Sequence, residues 1–306
     1  MNHNTRQHLD ACLSALRDAR VTRVVVDNAS IDDSAATVRE RHPGVVLIDN
    51  TQNLGYGAAA NQGIALCLSE YVLLLNSDTV IAPGALGALS EYLDHHAEVA
   101  IVGPRITYPD GRLQPSCNPF PTLLPTLLAE SAAGQFLSYV PLARELYLPS
   151  SSHTRARPVP WIMGSAMAIR RSAFEAVGGF DTAFFMYFEE VDLCYRLWAA
   201  GWHVHFAPVA TIVHVGAAST RRHRSDMAVQ ALASRLLFYR RHYSDLAVGA
   251  LVLLIDAVVF VRWVLGPLRI RLARDEARRA QLRDEMVAWQ RVLRGEWLRP
   301  ALGRRT

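Results

Sequence analysis

The stretch Phe180-Asp181-Thr182-Ala183-Phe184-Phe185-Met186-Tyr187-Phe188-Glu189-Glu190-Val191-Asp192-Leu193-Cys194-Tyr195-Arg196 sets three acids within four positions behind an apolar, aromatic run. Carboxylates are costly to bury against such surface. Acids kept there point to a base, or to groups that organise a binding site. The plain alternative is the exposed start of a helix, where acids suit the positive end of the dipole. A second acid lies in Asn76-Ser77-Asp78, behind the apolar run Tyr71 to Leu75. A carboxylate at the end of a buried strand can hold a hard divalent cation bridging a diphosphate. His214 closes a strand-like stretch before Gly216. It could add an imidazole ligand, which Mn²⁺ accepts more readily than Mg²⁺; standing alone it reads as a core histidine. Arg221, Arg222 and Arg224 follow within ten residues. They read as a clamp on phosphate oxygens or as a solvated basic loop.

Two polar turns lie upstream. Asp27-Asn28-Ala29-Ser30-Ile31-Asp32-Asp33-Ser34 ends an apolar run, and its acid and amide suit a nucleobase edge. Ser30 or Asp32 can cap the next helix, a role that leaves Asp27 unexplained. In Asn53-Leu54-Gly55-Tyr56-Gly57-Ala58-Ala59-Ala60-Asn61-Gln62-Gly63, small residues precede a helix. They let backbone approach a phosphate or sugar at the helix N-terminus, although most Gly-rich turns are only turns. The pattern is neither a P-loop nor Gly-x-Gly-x-x-Gly.

These residues need elements to position them. Helical spacing covers residues 7–19, 34–41, 57–69, 83–95 and 172–177, and strand-like runs cover 21–27, 45–49, 71–75, 161–170 and 204–213. Alternation with short loops predicts an α/β domain with a mostly parallel, Rossmann-like sheet flanked by helices. Ligands bind beyond the carboxyl ends of such strands, where Asp27, Asn50 and Asn76 to Asp78 fall. Residues 108–160, rich in Pro and Ser, read as a long excursion with a helix near 122–136.

Composition adds bounds. With 51% hydrophobic and 20% charged residues in a chain of 306, the protein folds rather than remaining disordered. Cys12, Cys67, Cys117 and Cys194 are widely spaced, which argues against a disulfide framework or thiolate zinc site and fits a reducing compartment. Met1 to Asp10 is polar, unlike a signal peptide. Leu246 to Val261 is nearly continuous apolar sequence broken by Asp256. It reads as a helix packed on the domain or lying in a membrane interface, and a single span is the alternative. From Arg262 to Arg305 there are twelve arginines against Asp275, Glu276, Asp284, Glu285 and Glu296, which suits an anionic cytoplasmic membrane face. The charge pattern is assigned to a membrane surface, and nucleic acid is not expected as a partner.

Taken in order, Val24-Val25-Val26-Asp27-Asn28-Ala29-Ser30, Asn53-Leu54-Gly55-Tyr56-Gly57, Asn61-Gln62-Gly63, Asn76-Ser77-Asp78, Gly164-Ser165-Ala166 with Arg170-Arg171, Gly178-Gly179-Phe180-Asp181, Glu189-Glu190-Val191-Asp192-Leu193 and His214 resemble family 2 glycosyltransferases, most of all bacterial rhamnosyltransferases. The likeness covers about residues 4–240. It implies a GT-A-type fold, a nucleotide-sugar donor, a divalent metal (Mn²⁺ or Mg²⁺) and inversion at the anomeric carbon. Carried over by position, Asp27 contacts the base, and Asn28, Asn53, Gly55, Tyr56, Asn61, Asn76, Ser77, Arg221 and Arg222 line the donor. Asp78 and His214 bind metal, Glu190 is the catalytic base, and Glu189 and Asp192 support the acceptor site or the helix. Trp161, Gly164 and Ser165 fall on the acceptor side.

The resemblance divides the chain into a catalytic domain, 1–243, and an apolar helix with an Arg-rich tail, 244–306. Within the first, residues to about 107 take the nucleotide sugar and 108–243 the acceptor. It further implies dTDP-rhamnose as donor and a lipid-linked or cell-surface glycan precursor as acceptor, with the enzyme peripheral at the cytoplasmic membrane face. Two departures stand out. Glu190 replaces a common Asp, extending the base by one methylene. The family also opens with an apolar strand ending in Ser/Thr-Tyr-Asn, whereas this chain begins Met1-Asn2-His3-Asn4-Thr5. The expectation is a gap between the strands 21–27 and 71–75, with the lacking strand encoded in frame before Met1. Two other functions remain open: a catalytically impaired nucleotide- or glycan-binding module, and a nucleotidyltransferase.

Overall fold

A computed structural model of the chain describes residues 1–17, 19, 21–123, 126, 153–216, 224–273 and 275–298. They belong to two units. The first comprises Met1–Phe120, Leu148–Phe185 and Glu189–Ser219, and the second Pro121–Tyr147, Met186–Phe188 and Thr220–Thr306. The expected helix near 122–136 falls largely outside the described residues, as do Arg221 and Arg222.

The first unit alternates helix and strand: α1 (Arg6–Ala15), β1 (Val24–Asn28), α2 (Ser34–Arg41), β2 (Val46–Asn50), α3 (Tyr56–Ala65), β3 (Tyr71–Leu75), β4 (Thr79–Ile81), α4 (Ala85–His95) and β5 (Val99–Thr107). Short strands follow, β6 (Leu113–Gln114), β7 (Cys117–Asn118), β8 (Arg157–Pro158) and β9 (Trp161–Ile162). The unit closes with β10 (Ala166–Arg170), α5 (Arg171–Ala176), α6 (Glu189–Ala199) and β11 (His203–His214).

The main sheet runs β3-β10-β5-β11-β4, with β6 added to β5 and β8 to β11. It is mixed rather than mostly parallel. The pairs β1–β2 and β5–β11 are parallel, while β10 runs antiparallel to both β3 and β5. Among the described residues, the short strands β8 and β9 lead into β10, which runs antiparallel to its neighbours. Its five residues are all buried, and Met167 and Ile169 join Ile101, Ile162, Leu193 and Leu197 in one core. Val102, Ala168 and Ile212 face α4 through Leu89 and Leu93 in another.

β5, central in the sheet, has no counterpart among the elements expected from sequence. Pro104 sits inside it, and proline in a run argues against a central strand. The sheet accommodates it with a bulge. Between Phe206↔Gly103 and Thr211↔Arg105 the register slips, and Pro208 of β11 lies in the same interruption.

A slot separates β1 from β3. No described strand lies between them, and only Met1 and Asn2 reach across. Asn2 N donates to Val26 O, and Asn28 N to Asn2 O, each at 2.9 Å. The Met1 amine donates to Leu75 O at 3.1 Å, and Ser77 N to Met1 O at 3.2 Å. Behind this clasp lies a cavity of about 800 Å³, bordered by Leu9, Cys12, Val25, Ile64 and Leu73 among others.

The second unit is helical: α7 (Arg224–His242), α8 (Asp245–Leu272) and α9 (Glu276–Leu293). Ser244 caps α8 through Ala247 N, and Asp275 caps α9 through Arg278 N. In α8, Leu251, Ile255, Val259 and Gly266 form the buried stripe, and Gly266 abuts Met286 of α9. Outside that stripe several apolar side chains of α8 are bare: Leu246 is 85% exposed, Leu253 74% and Phe260 55%. Its 28 residues are long and apolar enough to cross a membrane, at about 1.5 Å per residue.

Candidate active site

β4 and β11 pair antiparallel, with Thr79 opposite His214. That register carries Asp78 to His214. The two side chains are buried, and Asp78 Oδ1 lies 3.2 Å from His214 Nε2. Two further contacts set the histidine. Its Nδ1 faces Gln114 Oε1 at 3.0 Å, and Asn76 Nδ2 lies 3.5 Å from Nε2. A carbonyl oxygen only accepts, so Nδ1 carries a proton. Nε2 at 3.2 Å from Asp78 then shares either a proton or a cation with the carboxylate, and an imidazole beside a carboxylate is a donor set that suits a divalent ion. Asp78 Oδ2 also accepts from Gly216 N at 3.1 Å. Gln114 escaped sequence reasoning because it sits on a two-residue strand inside the aperiodic excursion.

The acidic run starts α6. Val191, Leu193, Cys194 and Leu197 form the buried face of that helix, and Gly201 ends it with φ +86. The two residues before it, Tyr187 and Phe188, adopt left-handed backbone at φ 66 and 68, a costly conformation for large side chains that tends to gather at functional sites. The three acids have different surroundings. Asp192 is buried and paired to Arg196 at 2.7 Å; Arg196 also donates to Val177 O and Gly179 O, so this pair fixes the glycine turn. Glu189 is buried, and its Oε2 has no hydrogen-bond partner among the described residues. Burial, and then the charge of Glu190, pushes the Glu189 carboxyl well above the usual carboxylate range. Desolvation here outweighs the favourable helix dipole. Glu190 is only half-buried.

The Tyr56 phenol is likewise driven upward, first by burial and then by the charges of Glu189, Glu190 and Asp78. The Asp78–His214 pair and the acidic turn therefore share one electrostatic neighbourhood. Tyr56 Oη donates to Gly164 O at 2.6 Å, and Asn76 N to Ser165 O at 3.0 Å, so the donor-side and acceptor-side segments expected from sequence meet here. Ser165 Oγ is buried without a hydrogen-bond partner among the described residues. Trp161 is tied by Nε1 to Pro119 O at 2.7 Å.

The other expected donor-side residues brace the loops. Asp27 accepts from Asn2 Nδ2, Ser30 N and Ser30 Oγ. Ser30 therefore does not cap α2, and Asp32 instead accepts from Ser34 N and Arg6 N. Asn28 donates to Asn53 Oδ1 and Gly55 O and accepts from Leu54 N. Asn61 clamps Phe180 through both N and O, at 3.0 and 2.8 Å. Ser77 Oγ meets Thr5 Oγ1 at 2.6 Å. Gly55, at φ +88, has no room for a Cβ against the Phe185 carbonyl, which accepts from Tyr56 N at 2.8 Å. The glycine loop is thereby pinned to the aromatic run ahead of the acids.

With this geometry in view, the comparisons are direct. The profile described as glycosyl transferase family 2 matches residues 1–178, and glycosyl transferase family group 2 matches residues 134–277. The chain belongs to glycosyl transferase family 2. It is 34% identical over 223 residues, 69% of this chain and 72% of the other, to the N-acetylglucosaminyl-diphospho-decaprenol L-rhamnosyltransferase of Mycobacterium tuberculosis. It is 30% identical, over 67% of this chain and 62% of the other, to the low-salt glycan biosynthesis hexosyltransferase Agl10 of Haloferax volcanii. Among solved structures, the mannosyltransferase PcManGT of Pyrobaculum calidifontis, in complex with GDP-Man and Mn²⁺, superposes with TM-score 0.55 at 16% identity, covering 97% of this chain and 86% of that one. S. aureus TarS gives TM-score 0.50 at 13% identity, over 96% and 89%. The fold is that of GT-A glycosyltransferases, and this family 2 member is a rhamnosyltransferase-like glycosyltransferase.

One prediction concerns Glu189 in this enzyme. Its folded-state carboxyl holds a proton that the unfolded chain releases above pH about 4.3. The stability it contributes is full below that pH and is lost as pH rises toward the raised folded value. Glu189→Gln should flatten this slope. Denaturant midpoints measured from acid to neutral pH should fall less in the variant than in the parent, and parallel curves would refute the buried proton.

Proposed function

We propose that the protein is an inverting, metal-dependent rhamnosyltransferase. It takes L-rhamnose from dTDP-rhamnose and delivers it to a lipid-linked glycan precursor at the cytoplasmic face of a membrane. The observation that carries this reading is Asp78 and His214 facing each other beside the acidic start of α6. Support for the sugar and the lipid-linked acceptor comes from the mycobacterial relative's printed activity, and support for a metal from the Mn²⁺ in the mannosyltransferase complex.

In this reading Glu190 accepts the proton of the acceptor hydroxyl, so an ionised oxygen attacks the anomeric carbon from the face opposite the leaving diphosphate. Asp78 and His214 would hold the cation, with Gln114 fixing the imidazole. Bound there, a divalent ion would supply positive charge to offset that building on the departing nucleoside diphosphate. Glu189 and Asp192 support the acceptor site or the helix.

A panel of nucleotide sugars tested by thermal shift with Mn²⁺ or Mg²⁺ examines the donor, because a ligand that binds only the folded state raises Tm. dTDP-rhamnose should raise it only with metal present, and turnover should release nucleoside diphosphate. Pyrophosphate release would instead identify a nucleotidyltransferase. Binding without turnover on any acceptor would leave a binding module.

The membrane assignment rests on α8 and α9. Arg262 stacks over Trp289, and Arg269 lies 4.0 Å from Glu285, so the charged helix runs alongside the apolar one. Crossing the bilayer would drag α9's charges into hydrocarbon at high cost. Lying in the interface keeps them wet while bare leucines enter the lipid. Removing residues 245–306 should move the protein from the membrane to the soluble fraction. Equal partitioning of both forms on anionic liposomes would overturn the assignment.

A further inference from the structure

At the opposite end of β11 from His214 lies a group that the reaction does not use. His203 and His205 project from the same side of the strand, as alternate residues do, and Glu98 immediately precedes β5 alongside. One ligand atom from each of Glu98, His203 and His205 lies within 4.8 Å of the others. Residues 203 and 214 are eleven apart, so the two ends stand up to about 36 Å from one another at strand spacing.

We propose that Glu98, His203 and His205, with His96 beside them, form a second metal site that takes Zn²⁺ or a similar borderline ion. Two imidazoles and a carboxylate are a donor set for zinc, which binds nitrogen at about 2.0–2.1 Å. Tetrahedral ligands then stand about 3.3 Å apart, and rotation of exposed Glu98 provides the necessary closure. The surrounding contacts orient the rings as outer-sphere partners do. Tyr92 Oη lies 2.9 Å from His205 Nδ1, which leaves Nε2 as ligand. His203 stacks on Trp198 with centroids 4.9 Å apart, and its N donates to Glu98 O at 2.9 Å. His96 places Nδ1 3.1 Å from Tyr92 O and its ring centroid 5.9 Å from that of His205. Bound there, zinc would tie the end of α4 and the entry of β5 to the start of β11.

The test uses the full chain in an Asp78→Ala background, so that the catalytic pair cannot supply the signal. Calorimetry with Zn²⁺ in excess Mg²⁺ should give one saturable site per chain. Co²⁺ should give the intense visible bands of tetrahedral coordination. His203→Ala and Glu98→Gln should each weaken Zn²⁺ binding by about 10-fold or more and bleach the cobalt bands. Both positions are at least partly exposed, and Glu98→Gln suffices if His203→Ala fails to fold. No saturable zinc site in Asp78→Ala, or unchanged affinity in Glu98→Gln, would overturn the proposal.

Discussion

Glu190→Gln should lower kcat by about 100-fold or more while leaving donor affinity nearly unchanged. The substitution keeps size and hydrogen-bonding reach and removes only basicity. The structure sharpens the choice among three adjacent acids. Asp192 is spent on Arg196, and Glu189 is the more deeply buried of the two glutamates, its carboxyl pushed upward by burial and then by the charge of Glu190. Glu190 is less buried and shares the neighbourhood of Asp78 through Tyr56. Glu189→Gln should retain most of its turnover, since the amide keeps size and hydrogen-bonding reach at a position that takes up no proton in the reaction. Steady-state kinetics on both variants decides the matter. An active Glu190→Gln with a dead Glu189→Gln would transfer the role to Glu189.

Asp78→Ala should abolish metal-dependent donor binding, a loss of about 100-fold or more for an ion-bridged diphosphate. Asp78 provides the one carboxylate in the pair with His214, and without it a lone imidazole cannot retain a hard cation. His214→Ala should cost less. Gln114→Ala should weaken metal-supported donor binding by about 10–100-fold, the usual effect of losing an outer-sphere partner. Calorimetry with donor and Mn²⁺ measures all three. An Asp78→Ala protein that binds donor as tightly as the parent would sink the metal assignment.

The acidic turn and the two strand tips were legible because their chemistry is written in short contiguous runs. α2 and β3 fall where periodicity puts them, at Ser34–Arg41 and Tyr71–Leu75. What sequence concealed was direction and long-range pairing. β10 reads as a strand, but nothing local says that it enters antiparallel between β3 and β5. β5 hides behind Pro104, whose cost is absorbed by a bulge on its neighbour. Gln114 reaches His214 across a hundred residues, a contact with no local signature. Asn28 and Asn61 read as donor-side residues, and the structure adds that each ties one loop to another, a contact the local sequence does not signal.

The slot between β1 and β3 bears on motion. The pocket of about 800 Å³ there opens to solvent, with exposed Val21, Glu70 and Gly87 on its border. Among the described residues, β1, β2 and α2 are joined to the sheet by helix packing and the Met1–Asn2 clasp, without a continuous ladder. They form an opening unit of their own, able to detach at a free energy below that of global unfolding. Amides of Val24 to Asn28 should exchange with solvent well before those of Val99 to Val102. Because Asp27 and Asn28 sit in this loosely held half, a nucleotide that gripped their loops would slow that exchange, and part of its binding energy would go into ordering the protein.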